Sequence, residues 1–304
     1  MEQVSLKDRL RLNFDFIRED GGQDQTAKVS TRESATSESP EQVGISNSSE
    51  IGYTAKRIIG YGNTSIVFEA VCDQTGDLVA IKKTMASPDK CQKEAEMLSR
   101  FKHPNIVKLK ACFFNKCPSS TNIMFFNIVM DKYDTDLSHM ILTFKQQKQQ
   151  LPKLLIKLYS YQMIKALAYL EAMGIIHADV CTSNFLLNYN QQTVVLCDFG
   201  ESDIEKTTVA KNSLKKFKSP EQLLLGSNAT HKTDIWSLGC SIAELVIQEP
   251  LFTGKSTKDV LRQMFELLGF PKSKELSQKA DKIVDPYAER SHDSNLKKVE
   301  CLII

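Results

Sequence analysis

Ile176-His-Ala-Asp-Val-Cys-Thr-Ser-Asn-Phe-Leu186 is followed, after a short spacer, by Cys197-Asp-Phe-Gly200. The first string sets Asp179 and Asn184 five residues apart, and the second places Asp198 nineteen residues after Asp179. A carboxylate near a substrate hydroxyl, with an amide and a second carboxylate for magnesium, is what positioned phosphoryl transfer requires. Each string could arise by chance. The surrounding sequence decides whether they belong together.

Upstream, Val79-Ala-Ile-Lys-Lys83 carries Lys82, a cation suited to the α- and β-phosphates of a nucleotide, and Lys82 needs an acidic partner to fix it. Glu94 lies twelve residues on, in a charged, helix-favouring stretch over 88–101, with His103-Pro104-Asn105 beyond it. One strand earlier, Ile59-Gly-Tyr-Gly-Asn-Thr-Ser-Ile-Val67 holds Gly60 and Gly62 at the spacing of a phosphate-covering loop. Small residues there let backbone N–H groups approach phosphate. Most such glycine pairs are merely turns, so the loop gains weight only from Lys82 behind it. Downstream come Ser219-Pro-Glu221 and Asp234-Ile-Trp-Ser-Leu-Gly-Cys240. Six strings in this order are not a coincidence.

The intervening pattern is consistent with two segregated parts. Lys56–Ile59, Ser65–Ala70 and Leu78–Lys82 are short β-type runs separated by Gly60, Gly62 and Thr75-Gly76-Asp77, the signature of an antiparallel meander. His103-Pro-Asn-Ile-Val-Lys-Leu109 returns to strand chemistry. Beyond about residue 135 the chain reads as helical. Leu154, Leu158, Tyr161, Ile164, Leu167 and Leu170 recur at steps of three and four, which predicts a buried helical stripe, and Pro152 suits that helix's first turn. Sheet first and helices afterwards predict an α+β protein. Residues 20–50 are rich in Ser, Thr, Gln, Glu and Gly and almost free of large apolar side chains, so residues 1–50 are expected to form a disordered tail.

The bulk properties exclude several classes. A net charge of +2 gives no case for bulk electrostatic binding to nucleic acid or membrane. No apolar run approaches the roughly 18 residues of a membrane span, and the start, MEQVSLKDRLRLNFDF, lacks a signal-peptide core. The eight cysteines form no Cys-x-x-Cys pair, so reduced thiols in a cytoplasmic or nuclear protein are expected.

From about residue 51 to 275 the chain resembles eukaryotic protein kinases. It is most similar to the glycogen synthase kinase 3 (shaggy-like) branch of the group that also holds cyclin-dependent and MAP kinases. The branch resemblance rests on the Lys82–Glu94 interval, LPKLLIKLYSYQMIKALAYL, VVLCDFG and PLFTGKSTKDVLRQMFELLGFP. It implies a two-lobed fold, an ATP-binding lobe over 51–131 and a helical lobe over 132–304, with ATP in the cleft. It further implies Lys82 on phosphates with Glu94 as partner, Asp179 as catalytic base, and Asn184 and Asp198 on Mg2+. Val67, Ala80 and Leu186 would sandwich the adenine beneath Gly60 and Gly62, with Met130 as gatekeeper and Asp131 to Tyr133 as hinge. Leu98, Leu109, His177 and Phe199 would form a packed column. The implied activity is transfer of the γ-phosphate of Mg-ATP to a serine or threonine of a protein substrate, with room for a docking partner beside residues 255–300.

Several positions depart from that pattern. Ser65 stands where a third glycine is usual. Ala178 replaces the arginine before the catalytic aspartate, and Cys181 replaces the lysine two residues after it. Losing one preorganised charge from a transition state costs about 100- to 1000-fold in rate. The branch's three phosphate-holding basic residues match Lys93, Ala178 and Asp203, and its activation-loop tyrosine matches Lys211. Lys211, Lys215, Lys216 and Lys218 read either as a solvated run or as a relocated site for acidic or phosphorylated substrate. A thiol at Cys181 reads either as a drifted residue or as a redox switch. Glu221 is expected to be a buried carboxylate whose arginine partner is missing, because the chain stops short of a full helical lobe. Two functions follow: an active, handicapped kinase, or an inactive kinase-fold scaffold that binds ATP and partner proteins.

Overall fold

The computed structural model describes residues 51–62, 65–85, 88–117, 120–204 and 215–283. The expected tail over 1–50 and Lys211 lie outside them. Contacts divide the chain into two compact units. Of the described residues, one comprises 51–101 with Lys108–Lys132, and the other Lys102–Val107 and those from Tyr133 to Ile283.

The first unit is built on a five-stranded antiparallel sheet, ordered β1-β2-β3-β5-β4. Its strands are β1 (Tyr53–Tyr61), β2 (Ser65–Cys72), β3 (Leu78–Thr84), β4 (Leu109–Cys117) and β5 (Ser120–Asp131). All three β-type runs expected from sequence fall inside β1, β2 and β3. Gly76, at φ +75°, makes the turn between β2 and β3, where its N–H donates to the Cys72 carbonyl (2.8 Å). Side chains alternate faces with period two. Ile66, Phe68, Ala70, Val79, Ile81, Phe125 and Val129 form the core of one face. Their neighbours Val67, Ala80, Lys82, Ile128 and Met130 therefore share the other.

Helix α1 (Pro88–Arg100) packs on β4 and β5. It buries Glu94, Ala95, Met97 and Leu98, a helical stripe in which one member is charged. The strand expected from His103 begins only at Leu109. Residues 102–107 instead belong to the second unit, where Ile106 makes an isolated parallel bridge to Leu196. The Asn105 amide nitrogen donates to the Val194 carbonyl at 2.8 Å, and the Asn105 carbonyl accepts from Leu196 N–H at 2.9 Å. Pro104 and these anchors explain why β-branched residues there do not extend the sheet.

The second unit is mostly helical: α2 (Leu137–Gln146), α3 (Lys153–Ala172), α4 (Pro220–Leu225), α5 (His231–Ile247), α6 (Thr257–Leu268) and α7 (Lys274–Ile283). Short strands β6 (Thr135–Asp136), β8 (Phe185–Asn188) and β9 (Thr193–Leu196) form one sheet. β7 (Ile175–Ile176) pairs with β10 (Asp203–Ile204). Helix starts are encoded locally: Ser256 caps α6 through Asp259, and Ser219, followed by Pro220, opens α4 with its N–H donating to Gln222 Oε1 (3.1 Å). Gly226, at φ +63°, ends α4.

The stripe expected on α3 is only partly right. Leu167 and Leu170 are buried, but Leu154, Tyr161 and Ile164 are 76%, 60% and 49% exposed. The buried face runs through Tyr159, Met163, Ala166, Leu167 and Leu170, against α5 and β9. Apolar residues surround most of this helix, so periodicity alone does not say which face the neighbours cover. Helix α5 shows the reverse pattern: it buries Thr233, Asp234, Ser237, Ser241 and Glu244 among apolar residues. No helix among the described residues is long and apolar enough to cross a membrane.

Candidate active site

In the first unit the sheet brings five of the sequence-predicted residues side by side. Gly60 lies opposite Val67 in the β1–β2 ladder, Val67 opposite Lys82 in β2–β3, and Ala80 opposite Met130 in β3–β5. Lys82 Nζ sits 2.8 Å from Glu94 Oε1, with both side chains nearly inaccessible at 11% and 9% exposure. A pair this buried is held because each charge is the other's compensation, and removing either would leave a buried unpaired ion, at a cost of about 3–5 kcal/mol. Asp131, at the end of β5, is paired with Lys110 at 3.0 Å.

The two glycines differ. A Cβ on Gly60 would meet Val67 at an ordinary 3.6 Å, so the protein's own packing does not demand glycine there. A Cβ on Gly62 would meet Ser65 Oγ at 2.6 Å, and Gly62 N–H donates to the Ser65 carbonyl (2.8 Å). Ser65 is buried and closes the turn.

In the second unit the chemistry-bearing loop is held from beneath by one carboxylate. Asp234, in the first turn of α5, accepts the N–H groups of His177 (2.7 Å) and Ala178 (3.0 Å). Burial pushes the Asp234 pKa up, and the two N–H groups and His177 pull it partly back. Ala178 has φ +65° and Asp198 φ +63°, two of the five non-glycine residues with positive φ among those described. Left-handed backbone at such residues costs about 1–2 kcal/mol and persists where the surroundings over-determine it. At Ala178 the surroundings are the Asp234 carboxylate.

The His177 ring ties this loop to the segment carrying Asp198. Its Nδ1 accepts Asp179 N–H (3.3 Å), and its Nε2 faces the Cys197 carbonyl (3.0 Å). A carbonyl only accepts, so Nε2 carries the proton. The same ring packs edge-on against Phe199 at 4.9 Å, and Cys197 N–H donates to the Asn184 carbonyl (2.9 Å). Asp179, Asn184 and Asp198 are thereby drawn together. Asn184 Nδ2 donates to the Asp179 carbonyl (2.8 Å) and to Asp179 Oδ2 (3.2 Å), which leaves Asn184 Oδ1 as the face for a cation. Burial raises the Asp179 carboxyl to about 6, helped by the charges of Asp198 and Glu201 and opposed by Asn184 and by Lys218.

Mg2+ takes few protein oxygens and keeps phosphate and water as its other ligands. Among the described residues no three His, Cys, Asp or Glu cluster as a metal cage. One amide oxygen and one carboxylate, Asn184 and Asp198, are a hard-oxygen donor set that fits Mg2+. Leu186 lies in β8, opposite Val195. Tyr133 begins the helical unit's main stretch and is half-buried.

Three expectations change here. Cys181 is 3% exposed, sits in the apolar cluster with Phe217 and Leu224, and has its thiol pKa pushed up to about 12 by burial and Asp179. A thiol so placed is an inert core residue, which overturns the redox switch. Glu221 is half-buried in the first turn of α4, where the helix dipole favours a carboxylate, so no buried orphan charge exists there. Lys216 is not a solvated lysine: its Nζ is 3.6 Å from Oε1 of buried Glu244, whose Oε2 accepts from Thr182 Oγ1 at 2.8 Å.

The sequence motif around Asp234 and Ser237 carries no role by itself, and Glu244 lies beyond it. Their signal was present: polar residues at 234, 237, 241 and 244 follow helical steps inside an apolar helix.

The protein kinase domain family matches residues 53–298, and the chain belongs to that family.

Proposed function

We propose that this protein is an active serine/threonine kinase that moves the γ-phosphate of ATP to a protein hydroxyl. What carries the reading is the frame around Asp179: a raised, half-buried carboxylate whose Oδ2 is held by Asn184 and whose loop is pinned by His177 and Asp234. A chain released from catalysis has no reason to keep five acids, amides and cations in this order.

Lys82, locked by Glu94, holds the α- and β-phosphates. Gly60 and Gly62 cover them, while Val67 and Ala80 flank the adenine, with Met130 behind it. Asn184 and Asp198 would hold Mg2+, which would neutralise phosphate charge when bound. Asp179 orients the substrate hydroxyl and takes its proton as the hydroxyl oxygen forms a bond to the γ-phosphorus. The bond from that phosphorus to the bridging oxygen breaks, and ADP leaves with the electron pair. The serine/threonine preference and the glycogen synthase kinase 3-like branch are supported by the 12-residue Lys82–Glu94 interval and by the stretch from Pro250 to Pro271.

The test is transfer of radiolabelled γ-phosphate to a mixed protein substrate, followed by phosphoamino-acid analysis. Label on serine and threonine that disappears with Asp179→Asn and with Lys82→Met is the expected result. Transfer surviving Asp179→Asn would refute the assignment. ATP binding without any transfer would leave the scaffold role instead.

A further inference from the structure

Glu244 lies buried near the end of α5, and the chemistry assigned to Asp179, Asn184 and Asp198 gives it no task. A carboxylate in such a place carries a desolvation cost that only good partners offset. Its two oxygens go to two different loops. Oε2 accepts from Thr182 Oγ1 at 2.8 Å, and Oε1 lies 3.6 Å from Lys216 Nζ, which supplies the compensating charge. We propose that Glu244 is a positioning residue: through Thr182 it sets the turn that presents Asn184 to Mg2+. The inference rests on the kinase reading above, which gives Asn184 that ion.

The turn is Thr182–Asn184, a single 3-10 turn. Such a turn has poor internal hydrogen-bond geometry and does not hold its own place. Here Asn184 N–H donates to the Cys181 carbonyl (3.0 Å), and Phe185 N–H to the Thr182 carbonyl. Those bonds shape the turn without fixing where it sits. Upstream, Asp234 grips His177 and Ala178; downstream, Phe185 pairs with Leu196 in the β8–β9 ladder. Between those anchors, the Thr182 side chain is bonded to α5, and both it and Glu244 are buried, so water does not compete for the bond. Helix α2 packs against the same turn. Apolar packing is non-directional, whereas a hydrogen bond to a carboxylate fixes an orientation.

Asn184 follows Thr182 by two residues, and its Nδ2 is committed to the Asp179 carbonyl and to Asp179 Oδ2. A shift of the turn would therefore move two things together: the amide oxygen offered to the cation and the grip on Asp179.

The test is metal binding, read apart from turnover. Mn2+, which shares the preference of Mg2+ for oxygen ligands, is titrated into the ADP-bound protein and followed by electron paramagnetic resonance. Thr182→Val removes the donor and keeps the side chain's shape. It should weaken Mn2+ binding about 10- to 100-fold, the scale on which groups that orient a metal ligand act. ADP affinity without metal should stay unchanged, and the Mg2+ concentration for half-maximal transfer should rise by the same factor. Thr182→Ser, which keeps the hydroxyl, should restore both. Ser241→Ala controls for stability: Ser241 is fully buried on the same helix, and its Oγ donates to the Ser237 carbonyl within α5 (2.8 Å). That variant should unfold at a lower temperature and bind Mn2+ as wild type does. Equal Mn2+ affinity in Thr182→Val and wild type would overturn the proposal and leave the kinase reading intact. An equal loss in Thr182→Val and Ser241→Ala, or a loss that Thr182→Ser does not restore, would overturn it in favour of a structural role. A wild type whose ADP complex binds no Mn2+ would remove the kinase reading, and the proposal with it.

Discussion

The two units solve the same problem, holding charge in a dry place, by opposite means. In the first, Lys82 and Glu94 neutralise each other directly at 2.8 Å. In the second, acids outnumber cations around Asp179, and order comes from backbone: Asp234 accepting two N–H groups, His177 bridging two loops, Asn184 clamping Asp179. The difference teaches where sequence drift is tolerated. A mutual ion pair cannot lose one member cheaply. A carboxylate that grips peptide N–H groups is indifferent to the side chain above it, so Ala178 stands where the family has arginine and the loop keeps its shape.

The largest effect should come from breaking the Lys82–Glu94 pair. Lys82→Met leaves Glu94 buried and alone, and should cost about 3–5 kcal/mol in denaturant unfolding, together with ATP affinity. A loss under 1 kcal/mol would mean that the pair is wetter than its exposure implies. Next, Asp234→Asn keeps the shape but leaves one of two buried N–H groups facing an amide donor. The expected cost is about 1–3 kcal/mol, with transfer reduced further than stability predicts. Ala178→Arg overpacks a site where Ala178 is buried with Ile176 and Ala229, and should cost about 1–3 kcal/mol in the same unfolding measurement.

The pH profile sharpens the comparison. With the Asp179 carboxyl raised to about 6, kcat/KM should fall as pH drops below about 6, since the base is then protonated. The stability of the fold moves the other way. The folded chain holds a proton that the unfolded chain releases near the ordinary aspartate value of 3.8, so this group's stabilising contribution is present below that value and is lost as pH rises through about 6. An acid limb near 4 would show that the site is more solvated than its geometry indicates. The smallest effect concerns Cys181: mass spectrometry should find exposed Cys112 alkylated by iodoacetamide well before Cys181 in the native protein.

Much of the fold was legible because its signals are local. Glycine and turn residues bracket β1 to β3, Ser219-Pro220 and Ser256 announce helices, and each acidic or amide residue of the site sits at a fixed offset from the next. What stayed hidden depends on contacts between segments distant in sequence. Which face of α3 is covered is decided by α5 and β9, not by the apolar pattern, so Leu154, Tyr161 and Ile164 read as core and are exposed. Ser237 holds the carbonyl of Phe217, twenty residues earlier, and nothing in the spacing links them. Glu244 was invisible for the same reason, since its partners Thr182 and Lys216 come from two different loops.

The grip of Asp234 on His177 and Ala178 has a consequence on the timescale of hours. Those two amides sit in a loop, where exchange with deuterated solvent is ordinarily fast. Here each is bonded to a carboxylate built into α5, and neither can open unless the loop lifts from the helix or the helix itself unwinds. Their exchange should therefore run at the rate of α5's own interior amides, which makes the catalytic loop and α5 a single unit of cooperative opening.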